Sequence, residues 1–141
     1  MEIPVLISVA GTQRFAGMES ETIELVTNGT YRYEPGLATI SYVETEMTGL
    51  EGVVTTFTVE DGKKVTLRRT GKVNSTMVFV LGQKDESLYD CGAGALMIGV
   101  CATQMTVLLN EHGGVLDLDY RVEVEHALCS RNRYHIEIQT I

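Results

Sequence analysis

A chain of 141 residues suits a single domain, 1–141, with one continuous core, and a composition of 44% hydrophobic and 21% charged residues with two prolines excludes disorder. A formal net charge of −8 and an isoelectric point near 4.8 set up a field that repels phosphate backbones, and no Lys or Arg run exceeds two residues, which argues against nucleic-acid binding. No stretch approaches the ~20 apolar residues of a membrane span, and MEIPVLISVAGTQRF lacks the basic start and apolar run of a signal peptide, so a cytoplasmic protein with no membrane partner is expected.

Apolar residues alternate with period two through nearly the whole chain, and no window carries a clean helical stripe, so the fold class is all-β. Strands are expected near 3–14, 20–34, 37–47, 52–60, 63–70, 74–82, 87–101, 103–111, 115–125 and 133–140, separated by turn signals such as Asn28-Gly29, Pro35-Gly36, Asp61-Gly62 and His112-Gly113-Gly114. The clearest is VLDLDYRVEVE, 115–125, which places Leu116, Leu118, Tyr120, Val122 and Val124 on one face and Asp117, Asp119, Arg121, Glu123 and Glu125 on the other. Connections are of hairpin length, which points to an antiparallel up-and-down barrel of about 8–10 strands with each strand beside its chain neighbour. Such a barrel holds either packed side chains or one small ligand.

The hairpin around Asp61-Gly62 fixes which way the adjacent Arg68 and Arg69 point. A two-residue turn would set Phe57 against Thr66 and cross the apolar face of one strand with the polar face of the next. A three-residue Glu60-Asp61-Gly62 loop, with Gly62 left-handed, pairs Phe57 with Val65 and Thr55 with Leu67, so the apolar faces coincide. Arg69 then faces inward and Arg68 outward. On the preceding strand Ile40, Tyr42 and Glu44 share the apolar face, and a four-residue turn from Met47 to Leu50 puts Glu44 opposite Val53, itself opposite Arg69. An unpaired charge inside a barrel is costly, so Tyr42, Glu44 and Arg69 are expected to form an inward polar cluster near one end. Its two readings are a structural ion pair that closes the barrel and a site where Arg69 and Tyr42 hold a ligand's carboxylate or phosphate.

Other motifs carry less. Cys91, Cys101 and Cys129 fit neither a disulfide framework nor a zinc pattern and are expected to be buried thiols. His126, Cys129 and His135 match no compact metal template, and HALCSRNRYH is expected to be a surface turn. CGAGALMIG, 91–99, lacks the GK[ST] ending of a phosphate loop and is expected to mark a bulge or barrel corner. No motif calls for a cofactor or a metal, and no nucleophile with its base stands out, so an enzyme is the less favoured expectation.

The stretches ISYVETE (40–46), VTTFTV (54–59), LRRTG (67–71), MVFVLG (77–82) and GVLDLDY (114–120), with the glycine stretch from Tyr89 to Leu96, resemble the YwiB-like family of small bacterial proteins, a domain of unknown function related in fold to the calycin, or lipocalin-like, barrels. The resemblance spans essentially the whole chain and implies an antiparallel calycin-like barrel with no assigned catalytic residues. The chain has no Trp and so departs from the Gly-x-Trp signature of secreted lipocalins. Two functions follow as expectations: a barrel that binds a small amphipathic or apolar ligand, with Tyr42, Glu44 and Arg69 as ligand-binding residues, or a barrel filled by Met77, Phe79, Phe57 and Tyr120 that serves as a protein-interaction module. A self-complementary face would make it a homodimer.

Overall fold

The computed structural model describes every residue except Met1, Ala16, Met47, Thr48, Val73 and 91–94, and of Tyr89 and Asp90 the backbone alone. The described residues form ten antiparallel strands: β1 (Glu2–Phe15), β2 (Glu21–Glu34), β3 (Leu37–Val43), β4 (Val54–Glu60), β5 (Lys64–Thr70), β6 (Ser75–Val80), β7 (Lys84–Asp90), β8 (Ala95–Asn110), β9 (Gly113–Val124) and β10 (Ala127–Thr140). They pair in the order β6-β5-β4-β3-β2-β1-β10-β9-β8-β7. The first and last strands pair along most of their length, from Val5 opposite Thr140 to Phe15 opposite Ser130, and curl the sheet into a nearly closed calycin-like barrel.

Closure is incomplete at one seam, which corrects the expectation that every strand pairs with its chain neighbour. β6 and β7 meet only through a tight turn, with Val80 bridged to Gln83, and the two residues within it, Leu81 and Gly82, bond sideways to Ala102 of β8. That sideways bond diverts the chain to β8 and leaves the facing edges of β6 and β7 apart.

Two strands differ from the sequence expectation for a common reason. A bulge at Thr103, between the Ala102–Tyr120 and Gln104–Asp119 pairs, joins residues 95–101 of the expected 87–101 strand to the expected 103–111 strand as the single β8, whereas residues 87–90 belong to the separate β7, which pairs with β8. One extra residue reverses which side chains face inward, so Val100 and Ala102 are followed by Met105 and Val107, and the break in alternation imitates a strand end. Likewise β10 begins at Ala127 and not at residue 133. Its turn is the two-residue Glu125-His126, both with positive φ (50° and 68°), and a bulge lies between Leu128 and Ser130. HALCSRNRYH is therefore mostly strand. Cys101 and Cys129 are half-buried free thiols, a correction to the expected buried ones. Cys91, the turn residues Met47 and Thr48, and the 91–94 part of the glycine stretch lie outside the described residues.

The β4–β5 hairpin has the expected three-residue loop, moved one position along: Glu60 pairs with Lys64, and Asp61, Gly62 and Lys63 stand outside the ladder. The Asp61 amide bonds to the Gly36 carbonyl at 2.8 Å, which anchors this loop to the neighbouring β2–β3 turn. Phe57 therefore faces Leu67 and Thr55 faces Arg69, in place of the expected Val65 and Leu67. A two-residue change of register preserves facing, so Arg69 still points inward and Arg68 outward.

One half of the barrel interior is solid. Ile7, Tyr31, Ile40, Phe57, Leu67, Phe79, Leu116, Leu118 and Ile136 are fully buried there. Tyr31 donates to the Asn110 carbonyl at 2.7 Å and closes this end. Burial, with a smaller contribution from Tyr33, pushes its phenol up to about 12, so it remains a neutral donor. Gly29 is required in this wall, since a Cβ there would collide with Ile7 and with the Ser41 carbonyl.

Candidate functional site at the barrel mouth

The other half of the interior is polar and partly open. Register places Tyr42, Thr55 and Arg69 in one row across β3, β4 and β5, with Glu44 just past the end of β3 on the same face. The Glu44 amide bonds to the Val53 carbonyl at 2.8 Å, which confirms the expected Glu44–Val53 apposition. Arg69, however, is opposite Thr55 and not Val53. The three sequence-predicted residues do come together, Tyr42 and Glu44 buried and Arg69 half-buried.

Their bonding differs from a simple ion pair. Thr55 Oγ1 donates to Glu44 Oε2 at 2.6 Å, whereas Arg69 Nε stands 4.0 Å from the same oxygen, at the outer limit of a salt bridge. Arg69 Nε is buried without a hydrogen-bond partner. The shorter bond goes across the barrel: Arg69 Nη2 donates to the Tyr134 hydroxyl of β10 at 2.9 Å. β5 and β10 are five strands apart in sheet order, so this bond spans the interior. Beneath it, Phe57 meets Tyr134 edge-on at 5.6 Å and Phe79 tilts against Tyr120 at 4.7 Å. Tyr120 and Tyr134 stack at 6.0 Å. On β1 the residue opposite Tyr134 is Gly11, where an added Cβ would sit in ordinary van der Waals contact with the ring at 3.5 Å.

Electrostatics keep the phenols neutral and the guanidinium charged. Burial pushes Tyr42 far above the usual phenol range, helped by Glu44 and Tyr134 and opposed by Arg69. Tyr120 is raised for the same leading reason, burial, with Tyr134 adding to it. For Arg69 burial pulls downward, but Tyr134, Glu44 and Tyr120 outweigh it and the net change is upward. The site thus offers neutral O–H donors and a fixed cation around a carboxylate.

Above the Arg69–Tyr134 bond lies a cavity of ≈ 380 Å³, lined by this cluster together with Val9, Leu25, Leu50, Met77 and Val122. Leu50, Arg69, Met77 and Val122 also line a groove of ≈ 920 Å³ that follows the β6–β7 seam, so the chamber opens sideways as well as at its mouth. No group of three or more His, Cys, Asp or Glu among the described residues could hold a metal. His135 lies on the outer wall bonded to Asp117 and Glu137, and His126 sits in its turn beside Glu86.

Sequence reasoning placed Tyr134 in the expected strand 133–140 but not in the site, because its partner Arg69 lies 65 positions away. The signal for its facing was there in Ser130, Asn132, Tyr134, Ile136 and Ile138, every second residue.

An antiparallel barrel with a packed floor and a polar half-open mouth belongs to the calycin-like class, whose interiors hold either side chains or one small ligand. Within that class, the chain belongs to the family described as Domain of unknown function (DUF1934), whose model matches residues 7–136. It is similar in fold to the solved ywiB protein from Bacillus subtilis, at 23% identity and a TM-score of 0.74, over 99% of this chain and 94% of that one. No curated protein matches the chain. Among the described residues no helix is long and apolar enough to cross a membrane.

Proposed function

We propose that the barrel is a binding protein for a small amphipathic molecule, held with its polar end on Arg69, Tyr42 and Glu44 and its apolar part between Leu25, Met77 and Val122. The observation that carries this reading is the ≈ 380 Å³ cavity with the half-buried Arg69 in its wall, whose buried Nε lacks a hydrogen-bond partner. A volume of that size falls at the lower end of the roughly 300–1,000 Å³ of small-molecule pockets. Glu44 beside Arg69 disfavours a dianion, so a single carboxylate, a sulfonate or a hydroxyl is the fitting polar end. The seam groove provides a second way in. Half-buried free thiols at Cys101 and Cys129 agree with a reducing compartment such as the cytoplasm. A filled barrel acting through its surface is supported by the packed floor but leaves the mouth cavity without a role.

The test is titration with 1-anilinonaphthalene-8-sulfonate, an amphipathic anion with one charged group, read by its fluorescence. Wild type is expected to bind one equivalent. Val122→Trp, which fills the chamber, is expected to abolish binding, and Arg69→Met to weaken it about tenfold, in line with one lost charged hydrogen bond. Equal binding by all three proteins would refute the reading.

A further inference from the structure

On the outer wall near the same mouth, three arginines stand side by side. Arg14 of β1 is directly opposite Arg131 of β10, and Arg131 directly opposite Arg121 of β9. Their Cα atoms therefore follow one another across three strands at about 5 Å a step. They face outward, because the neighbouring Gln13, Ser130, Tyr120 and Val122 line the interior cavity. Like charges directly opposite one another on a sheet repel, and this molecule has only 11 basic residues against 19 acidic ones. Two carboxylates on the same face of β9 are bonded to other cations, although Glu123 still feels the charge of Arg121. Asp119 is bonded to Arg133 at 2.8 Å and Glu123 to Lys84 at 2.7 Å. Among the described residues none of the three arginines makes an ion pair within 4.0 Å, and Arg121 Nε is buried with no hydrogen-bond partner. Arg14 and Arg131 also wall a cleft of ≈ 280 Å³ whose other side includes Phe15 and Leu128, both well exposed at 39% and 45%.

We propose that this row and cleft bind a phosphate monoester group, with the ester's apolar part against Phe15 and Leu128. Guanidinium forks match phosphate oxygens bidentately, and a dianion relieves the mutual repulsion of three adjacent cations where a single carboxylate would relieve it only in part. A row about 10 Å long fits one such group, and the acidic surface beyond it repels a polyanionic chain. The arginine row is on the outside of the wall, and only Phe15, Cys129 and Ser130 at the rim are shared with the interior cavity, so the row stands whether or not the interior binds a ligand.

The experiment is calorimetric titration of the full chain at low salt with phenyl phosphate and inorganic phosphate, alongside sedimentation with phosphatidylcholine vesicles containing phosphatidic acid. Phenyl phosphate is expected to bind saturably and more tightly than inorganic phosphate. Arg131→Gln and Arg14→Gln are each expected to weaken it about tenfold or more. The thermal midpoint of both variants in phosphate-free buffer is expected to hold or rise, since a repulsion is removed. Binding of the vesicles without phenyl phosphate, lost in the same variants, would assign the monoester to a lipid headgroup. Binding of neither probe, or binding unchanged in both variants, would overturn the proposal.

Discussion

Replacing Arg69 by Met removes the cation that faces Glu44, and the cost can be worked from the geometry. Glu44 is 4% exposed and its Oε2 lies 4.0 Å from Arg69 Nε. Two unit charges at 4 Å attract by about 4 kcal/mol at an effective dielectric of 20 and about 1 kcal/mol in water. The Arg69 side chain keeps 18% of its exposure along the cavity wall, which places the pair between those limits, at about 2–3 kcal/mol. Arg69→Met should therefore cost about that much, plus about 1 kcal/mol for the bond to Tyr134. Glu44→Gln keeps an acceptor for Thr55, so the Arg69→Met/Glu44→Gln double variant should recover about 2 kcal/mol relative to the sum of the single changes. Urea unfolding followed by far-UV circular dichroism measures all four corners of the cycle. Single-variant effects that add to within about 0.5 kcal/mol would refute electrostatic coupling between the two residues.

Tyr134→Phe keeps the edge contact with Phe57 but takes the acceptor from Arg69, and it should destabilise by about 1–2 kcal/mol in the same assay; a loss below about 0.5 kcal/mol would contradict the cross-barrel bond. Gly29→Ala must displace Ile7 or the β3 backbone and should cost about 1–3 kcal/mol, and an unchanged urea midpoint would show that the wall yields there. Hydrogen bonds to Glu137 and then Asp117 raise His135 above its ordinary value of 6.5, so the folded state holds this proton more tightly. Its stabilisation is present in full below about pH 6.5 and is lost as pH rises through the elevated folded value. Relative to His135→Gln, wild type should therefore gain stability from pH 8.5 to pH 5.5, and parallel pH profiles of the two would reject the assignment.

How much was legible in the chain depended on parity. Facing survives any register change of two residues, so Arg69 and Glu44 were correctly turned inward although the Asp61-Gly62 loop sat one position from its expected place. A single inserted residue reverses facing, which is why the bulges at Thr103 and Cys129 hid the continuity of β8 and the true start of β10. Glu125-His126 has neither Asn nor Gly to announce its positive φ angles, so the turn could not be seen locally. Contacts between distant strands were beyond local pattern altogether. Tyr134 reaches Arg69 across 65 positions of sequence, and the arginine row on β1, β9 and β10 exists only after the first and last strands pair. The absence of long basic runs in the sequence therefore did not exclude a local basic surface.

The central claim is that the mouth of this barrel is a binding chamber governed by Arg69. Fluorescence titration with 1-anilinonaphthalene-8-sulfonate tests it most directly. About 21 non-hydrogen atoms at roughly 0.3 kcal/mol each give about 6 kcal/mol, a dissociation constant in the tens of micromolar. One saturable site of that affinity, absent from Val122→Trp and about tenfold weaker in Arg69→Met, is the predicted result; no saturable binding by folded wild type, or binding indifferent to both substitutions, would contradict it.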